Sequence, residues 1–353
     1  IAIRCRNEAG YIGRCLASLE KAVTDHTHTL VLVCDGRSDD GTREEVATYT
    51  ARNPWMVMLD NPARTTPQAL NLGLRHASFD VGIILGAHAE VNAIKSLQEK
   101  YKPEECTLFV TLEPCSHHGK TPPCVDLIIA KGFKKVVVAS NDPNSLVAGN
   151  GIKKLREAGI EIVTGVLEKE ARELNKRFFT FHEKKRPYFI LKWAQTADGF
   201  ISRWPVPKNR SENSITGPEA NNMVHELRAE NMAIMVGKNT VISDNPSLTV
   251  RHVRGKNPIR VILDKNLEVP SNLNVFNQQS PTIILNSLKE EVENEYLRFV
   301  KIDFSEGILT EVADRLYQLG IQSVLVEGGA ILLESLLKKE LWDEVVVIEN
   351  PLL

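Results

Sequence analysis

The residues with the clearest chemistry are a histidine and a glutamate two positions apart, followed downstream by two cysteines. His88 and Glu90 open a predicted helix, and Cys115 and Cys124 flank a loop rich in proline. A neutral imidazole and two thiolates supply three ligands of a tetrahedral Zn²⁺ site and leave the fourth position for a water. Zinc brings the pKa of such a water toward neutrality, and Glu90 could carry its proton to a leaving group. The pattern predicts zinc-dependent hydrolysis.

The spacing of these residues narrows the family. His-x-Glu with Pro-Cys is typical of zinc nucleobase deaminases, and the run EPCSHHGKTPPC places eight residues between the cysteines. That run resembles the pyrimidine deaminase domain of bifunctional riboflavin-biosynthesis enzymes. The resemblance implies that His88, Cys115 and Cys124 bind zinc and that Glu90 is catalytic. The substrate contacts that it implies are His117, Lys120, Asp142 and Asn144.

Five segments in the second half of the chain resemble, in order, the reductase domain of the same enzymes, whose fold is similar to that of dihydrofolate reductase. The segments are LKWAQTADGFI (191–201), ITGPEANNMVHELRAEN (215–231), VGKNTVISDNPSLTVR (236–251), PIRVILD (258–264) and VEGGAILLESLL (326–337). The resemblance implies hydride transfer from NADPH to C1 of a ring-opened, phosphorylated ribosylamino-pyrimidine, which gives the ribitylamino product.

The same resemblance assigns residues to the reductase site. The implied substrate contacts are Arg228, Leu248, Arg251 and Glu327. The implied cofactor contacts are Ala194, Ser214, Thr240, Asp244 and Gly329. Many family members have Trp at the position of Ser214. Because the Glu-Gly-Gly turn follows a predicted strand and precedes a helix, its backbone N–H groups can approach a pyrophosphate. Lys192 and Asp198 belong to the same motif without an assigned role, and His225 is expected to be structural.

The elements that position these residues alternate between strand and helix, which predicts a mainly parallel α/β fold. The predicted order is a truncated cytidine-deaminase-like α/β/α domain (87–183) and then a dihydrofolate-reductase-like domain (184–353). The charged run at 182–187 is predicted to link them. A partial GT-A, Rossmann-like segment (1–86) is predicted to precede both.

The first 86 residues resemble the N-terminal half of a family-two, GT-A-type glycosyltransferase. The resemblance rests on RNEAGYIGRCLASL, VCDGRSDDGTREEV and NPARTTPQALNLGLRHASFDV. It implies that Asp35 and Asp40 lie near a sugar nucleotide. Where this family places an acidic metal ligand, the chain has Gly86 in the run Leu-Gly-Ala-His, so we expect no glycosyl transfer. Both families could share the sequence at this junction, which indicates a chimera.

The composition of the chain indicates which kinds of partner and which cellular compartment to expect. The chain has 353 residues and a formal net charge of -2, which gives no support for nucleic acid or an anionic membrane as a partner. No apolar run approaches the roughly 18 to 20 residues that span a bilayer. We expect a cytoplasmic enzyme that binds phosphorylated pyrimidines, zinc and NADPH and pairs as a homodimer, as such reductases often do. The first residue is not Met and the chain stops at NPLL, so we expect a fragment whose reductase domain is C-terminally truncated.

The sequence leaves three hypotheses open. In the first, an NADPH-dependent reductase carries a deaminase domain that lacks its N-terminal strands and is impaired by truncation. In the second, the N-terminal region completes the deaminase sheet and both activities are present. In the third, the chain is an inactive chimera or a sugar-nucleotide-binding, glycosyltransferase-like module fused to the other domains.

Overall fold

Parallel strands with intervening helices make up most of the computed structural model, as the alternation in the sequence predicts. The structure describes residues 2–5, 12, 16–17, 20, 31–35, 38, 40–54, 56–60, 81–84, 91, 94, 102–117, 122–144, 148–201 and 215–350. The chain divides into two units, residues 1–171 and 172–353.

The division between the units falls earlier than the boundary expected at residue 183. The run at 182–187, predicted as a linker, instead completes a helix that ends at Lys184. The physical reason is aromatic packing, because the His182 ring lies 4.5 Å from the Phe178 ring and 5.2 Å from the Phe181 ring, centroid to centroid. The charged residues therefore cap a helix instead of forming an extended connection.

The described residues of the first unit form two sheets. Its strands are β1 (Ala2–Cys5), β2 (Val31–Asp35), β3 (Met56–Asp60), β4 (Val81–Ile84), β5 (Thr107–Leu112), β6 (Lys135–Ser140) and β7 (Glu161–Thr164). The helices that begin in it and whose full extent is described are α1 (Thr42–Arg52), α2 (Cys124–Lys131), α3 (Asn150–Glu157) and α4 (Glu168–Leu174). One sheet has the order β1-β2-β3 and the other β4-β5-β6-β7, and all neighbours in both are parallel.

The strand β4 belongs to the sheet that carries the predicted deaminase residues. Val81 pairs with Thr107 and Ile84 with Val110, although the sequence analysis placed residues 81–84 in the preceding segment. The sequence of a four-residue apolar strand does not indicate which sheet the strand joins, so its pairing with β5 could not be predicted. The structure thus adds one strand ahead of His88 to this sheet.

The core of the second sheet comes from residues that alternate along its strands. Leu108 and Val110 of β5 and Val136 and Val138 of β6 pack in one cluster with Ile128 and Leu155 of the flanking helices. Val136, Val138, Ile128 and Leu155 are all fully buried. This packing fixes the carboxyl ends of β5 and β6 next to each other.

The second unit contains one sheet of eight described strands. Its strands are β8 (Tyr188–Thr196), β9 (Ala233–Gly237), β10 (Ile259–Leu263), β11 (Thr282–Asn286), β12 (Glu291–Asn294), β13 (Leu297–Lys301), β14 (Ser323–Val326) and β15 (Glu344–Asn350). Its helices are α5 (Lys176–Lys184), α6 (Pro218–Glu230), α7 (Lys238–Asp244), α8 (Ile308–Gln318) and α9 (Ala330–Lys338). The strand order is β12-β13-β11-β10-β9-β14-β8-β15.

Both faces of this sheet are covered, as is usual for parallel strands. Successive residues of β9 show this, because Ala233 and Met235 join one buried cluster while Ile234 and Val236 join another. All four side chains are fully buried. The exception to the parallel order is β12, which pairs with β13 in antiparallel orientation.

No helix in the described part of the chain is long and apolar enough to cross a membrane.

Candidate functional site

The two predicted zinc cysteines lie together at the start of a helix. Cys124 is the first residue of α2 and is 2% exposed, and Cys115 lies just beyond the end of β5. The Cys124 N–H donates a hydrogen bond of 3.3 Å to the Cys115 Sγ, and the Val125 N–H donates one of 3.2 Å to the Cys115 carbonyl. The N-terminal end of a helix favours negative charge, so the arrangement suits thiolates.

The donor chemistry of this pair fits zinc. Thiolates are preferred zinc ligands, and Cys115 and Cys124 are both free of disulfide bonds. The predicted third ligand His88, the predicted catalytic residue Glu90 and the predicted substrate contact Lys120 lie outside the described residues. Within the described part, no group of three His, Cys, Asp or Glu side chains is arranged to hold a metal ion.

Three predicted substrate residues lie beside the cysteine pair. Asp142 follows β6 and is 8% exposed, and its Oδ1 accepts a hydrogen bond of 2.7 Å from the Asn144 N–H. Burial raises the pKa of Asp142 above its ordinary value, and the nearby charge of Glu113 adds to the rise. The hydrogen bond from Asn144 and the nearby His117 oppose this effect on the pKa. The side chains of Asp142, His117 and Cys115 thus share one electrostatic environment.

Glu113, the residue before Pro-Cys in the same loop, was not among the residues predicted from the sequence. Its side chain is 3% exposed, and its carboxylate accepts hydrogen bonds from the backbone N–H groups of Asp142, Gly149, Gly151 and Ile152. The one available signal was an acidic residue directly after a strand in which apolar residues alternate. Burial of a carboxylate requires compensation of this kind.

The predicted reductase residues gather at the carboxyl ends of neighbouring parallel strands. Glu327 directly follows β14, Lys192 lies in β8, and Thr240 lies in the helix that follows β9. The strand order places β14 between β8 and β9. Ligands of open α/β sheets bind at this edge of the sheet.

Arg228 and Glu327, both predicted substrate contacts, are bonded to each other. The Arg228 Nε and Nη2 each donate a hydrogen bond of 2.7 Å to one oxygen of the Glu327 carboxylate. The Arg228 Nη1 donates a third bond, of 3.2 Å, to the Thr249 carbonyl. Lys192 is mostly buried nearby, and burial lowers its pKa below the ordinary value, with Arg228 adding to this and Glu327 opposing it.

Thr240 and the glycine turn, both predicted to bind cofactor, are in contact. A Cβ on Gly328 would lie 3.1 Å from the Thr240 Cγ2, and a Cβ on Gly329 would lie 3.3 Å from the Thr240 Oγ1. Gly329 has a φ of 74°, a conformation that favours glycine, and it precedes the first residue of α9. The exposed backbone amides of a helix N-terminus suit a pyrophosphate, so these residues fit NADPH.

His225, predicted to be structural, borders the predicted substrate contact Arg251. Its Nδ1 accepts a hydrogen bond of 3.2 Å from the Arg251 N–H, and its ring stands edge-on to the His252 ring at 4.6 Å between centroids. Burial lowers the pKa of His225 to about 4, and the charges of Arg228, Arg251 and His252 act in the same direction. The Nδ1 is therefore an acceptor, which is how it holds the Arg251 backbone.

The remaining predicted residues of the reductase site are spread along its rim. Ala194 is half-buried in β8 opposite Ile348 of β15, and Asp244 is exposed at the end of α7. Leu248 has its side chain packed in the core and a left-handed backbone with a φ of 53°, so a substrate contact there would use its backbone. Ser214 lies outside the described residues.

One of the two acidic residues predicted for the glycosyltransferase-like segment lies at the start of α1. Asp40 is exposed, and its Oδ1 accepts hydrogen bonds from the Thr42 N–H at 3.1 Å and the Thr42 hydroxyl at 2.6 Å. Asp40 therefore supports the first turn of this helix. Asp35 is the last residue of β2, and its side chain lies outside the described part.

Two family models match the chain. The RibD C-terminal domain matches residues 187–353. The zinc-binding region of cytidine and deoxycytidylate deaminases matches residues 31–140, so it begins inside the segment predicted to be glycosyltransferase-like.

Curated relatives cover most of the chain. It is similar to the riboflavin biosynthesis protein RibD of Aquifex aeolicus, with 46% identity over 75% of this chain and 74% of the relative. The chain belongs to the RibD family. The RibD of Escherichia coli is 37% identical over 75% of each chain. Membership makes the chain a riboflavin-biosynthesis enzyme with a zinc-dependent deaminase part and an NADPH-dependent reductase part, as the resemblance of the sequence predicts.

Solved RibD structures share the fold. A diaminohydroxyphosphoribosylaminopyrimidine deaminase/5-amino-6-(5-phosphoribosylamino)uracil reductase of Thermotoga maritima is 38% identical, with a TM-score of 0.64 over 75% of this chain and 73% of that one. The RibD of Acinetobacter baumannii is 33% identical, with a TM-score of 0.67 over 76% of this chain and 74% of that one. The α/β fold, with deaminase-like and reductase-like parts, is thereby confirmed.

Proposed function

We propose that the chain catalyses two successive steps of riboflavin biosynthesis on phosphorylated pyrimidines. The first is hydrolysis of a ring amino group of a diamino-phosphoribosylamino-pyrimidine, which releases ammonia. The second is reduction of the ribosylamino group of the product to ribitylamino. One observation carries the proposal: Arg228, Glu327, Thr240 and the Gly328–Gly329 turn meet at one edge of the sheet, where a dinucleotide and an anionic substrate can bind side by side.

In the deaminase part, His88, Cys115 and Cys124 would hold the zinc ion. Zinc, when bound, supplies an acidified water as the nucleophile. Glu90 would act as the general base and acid that moves a proton to the departing amino group. The substrate contacts are His117, Lys120, Asp142 and Asn144, and the partial burial of the Asp142 carboxylate supports a place for it in the pocket wall.

In the reductase part, Arg251 and Arg228 face the anionic substrate. Guanidinium groups bind phosphate through two parallel hydrogen bonds. Arg228 already donates two such bonds to Glu327, so it orients that carboxylate for a polar group of the ribose chain. Leu248 contributes its backbone to the same pocket.

The glycine turn would hold the nicotinamide nucleotide. NADPH, when bound, supplies the hydride. Gly329 and the N–H groups of α9 would bind its pyrophosphate, and Thr240 supports the turn from the neighbouring helix. The remaining contacts to the cofactor are Ala194, Ser214 and Asp244.

We propose the domain limits 1–86, 87–183 and 184–353, with β4 as the strand that the first segment contributes to the sheet of the second. This pairing supports an active deaminase part over one impaired by missing strands. The parallel order β1-β2-β3 is compatible with a partial GT-A-like segment in which Asp35 and Asp40 mark the former sugar-nucleotide side. A cytoplasmic location and a homodimer complete the proposal.

The two activities can be assayed on one purified preparation. The protein is supplied with the diamino substrate, and ammonia release is measured with and without NADPH, while NADPH oxidation is followed separately with the deaminated substrate. Cys115→Ser should abolish ammonia release and leave NADPH oxidation intact, and Arg251→Ala should do the reverse. Ammonia release that survives Cys115→Ser would contradict the deaminase assignment. NADPH oxidation that survives Arg251→Ala at low substrate concentration would contradict the reductase assignment.

A further inference from the structure

One buried carboxylate connects the loop that carries Cys115 to the loop after β6 and to the start of α3. Glu113 directly follows β5, and its backbone N–H continues the ladder with a bond of 2.9 Å to the Ser140 carbonyl at the end of β6. Its side chain turns inward, where only 3% of the residue is exposed. No cationic side chain is hydrogen-bonded to it among the described residues.

Four backbone amides take the place of a cationic partner. The Gly151 and Ile152 N–H groups donate to one carboxylate oxygen at 2.9 and 3.1 Å. The Gly149 and Asp142 N–H groups donate to the other at 2.9 and 3.3 Å. Three of these donors lie at the start of α3, where the helix dipole also stabilises a negative charge. Glu113 is therefore the anion bound by this helix end.

Close packing makes the arrangement rigid. A Cβ on Gly151 would lie 2.1 Å from the Pro114 carbonyl oxygen, so the first turn of α3 rests directly on the backbone between Glu113 and Cys115. The same carboxylate holds the backbone of Asp142, a predicted substrate contact. One side chain thus joins three segments: the cysteine loop, the loop after β6 and the start of α3.

We propose that Glu113 is a positioning residue of the deaminase site, which sets the place of Cys115 for zinc and of Asp142 for substrate through the backbone. This inference rests on the proposed deaminase function. Removal of a group that orients a metal ligand lowers the affinity for the metal about 10- to 100-fold. The four hydrogen bonds described for the Glu113 carboxylate all come from backbone N–H groups, so its loss should act on zinc retention and on loop order together.

The test uses the full chain with Glu113→Gln, which keeps the shape of the side chain but turns an amide N–H₂ toward backbone donors. Leu155→Ala is the matched control, because Leu155 lies fully buried in the same helix and its removal weakens the same unit without altering the carboxylate. Zinc affinity is measured by competition with a chromophoric chelator. Amide hydrogen exchange of peptides covering 106–117 and 141–157 is measured in zinc-free protein.

We expect Glu113→Gln to weaken zinc binding about 10- to 100-fold and to speed exchange in both peptides, with NADPH oxidation unchanged. Leu155→Ala should speed exchange in the helix alone and keep zinc affinity within about threefold of the unaltered chain. Equal zinc loss in both variants, or unchanged exchange of the Cys115 peptide in Glu113→Gln, would overturn the proposal. If the unaltered chain binds no zinc, the proposed deaminase function fails, while the exchange measurement still decides the role of Glu113.

Discussion

The guanidinium of Arg228 donates two hydrogen bonds to the carboxylate of Glu327, and both nitrogen–oxygen distances are 2.7 Å. The side chains are only 11% and 7% exposed, so water screens the pair little. Arg228 comes from α6 and Glu327 from the end of β14, and the pair therefore connects a surface helix to the centre of the sheet. Both residues are fixed before any ligand arrives.

Breaking this pair should destabilise the reductase unit. Glu327→Gln leaves the Arg228 charge buried without its counter-charge, and removal of one partner of a buried ion pair costs about 3 kcal/mol. We expect a loss of this size in the free energy of unfolding by urea, together with a lower kcat/KM for NADPH oxidation. Glu268→Gln, which breaks an exposed pair with Lys238, is the control and should leave both quantities nearly unchanged. Equal effects of the two substitutions would contradict a special role for the pair.

A methyl group on the glycine turn should weaken cofactor binding through Thr240. Gly328→Ala puts a Cβ at 3.1 Å from the Thr240 Cγ2, which must shift to make room. We expect the KM for NADPH to rise about tenfold, equivalent to about 1.4 kcal/mol. Thr240→Ser removes that methyl carbon, so the double variant should recover most of the loss. A double variant no better than Gly328→Ala would show that the contact with Thr240 is not the cause.

Two substitutions of His225 should distinguish the effect of its hydrogen bond to Arg251 from the effect of its ring packing. The Nδ1 of His225 accepts the Arg251 N–H, so His225→Asn, whose amide oxygen can accept a bond, should keep more activity than His225→Leu. Leu should raise the KM for the pyrimidine with little change in kcat, because Arg251 loses its backbone anchor. A steady-state analysis of both variants measures this split. Equal KM values in the two would exclude the hydrogen bond as the reason.

The same residue predicts an acid-dependent loss of stability. Burial and the neighbouring cations lower the pKa of His225 from 6.5 to about 4. Between these two pH values His225 is protonated in the unfolded chain but not in the folded chain. The free energy of unfolding therefore falls as the pH drops through this window. His225→Leu removes the effect, and its free energy of unfolding should change less between pH 6.5 and 4 than that of the unaltered chain. Parallel pH profiles would contradict the prediction.

Asp343 predicts a second acid-sensitive contribution. Its burial alone would raise its pKa, but hydrogen bonds from Arg186 and from the Phe189 N–H outweigh burial and hold the pKa below the ordinary 3.8. A lowered folded value means that the stabilisation is present above 3.8 and is lost as the pH falls through the folded pKa. Asp343→Asn should therefore lower the free energy of unfolding at neutral pH by about 3 kcal/mol. The difference should shrink in acid, as urea titrations at several pH values would show.

The sequence predicted the regular elements of the reductase unit well because apolar runs mark buried parallel strands. The apolar runs YFILKWA (188–194) and EVVVIEN (344–350), for example, fall in β8 and β15. The hairpin of Glu291–Asn294 and Leu297–Lys301 was missed, because an edge strand with four exposed residues carries no alternation of apolar and polar positions. The helix through Lys184 was missed because its last residues are charged.

Polar anchors could not be predicted, because they depend on what tertiary packing brings to a buried group. Glu113 binds amides far along the chain, and Arg260, inside an apolar strand, donates to carbonyls that include those of Ser247 and Val275. Arg260 is fully buried, and its bond to Ser247 anchors the loop that carries Leu248 and Arg251. The resemblance identified residues for the site, but the supports behind them became visible only in three dimensions.

The strand that opens the reductase sheet is paired with the last two strands of the same sheet. Tyr188 of β8 lies opposite Ser323 of β14, and Ile190 lies opposite Glu344 of β15. Such distant pairing gives high contact order, which slows folding. A nascent chain that has grown only as far as β11 holds Arg228 and Thr240 but neither Glu327 nor the glycine turn. Synthesis must therefore reach β14 and the glycine turn before the cofactor residues can come together, and until β14 and β15 are made, β8 lacks both of its partner strands.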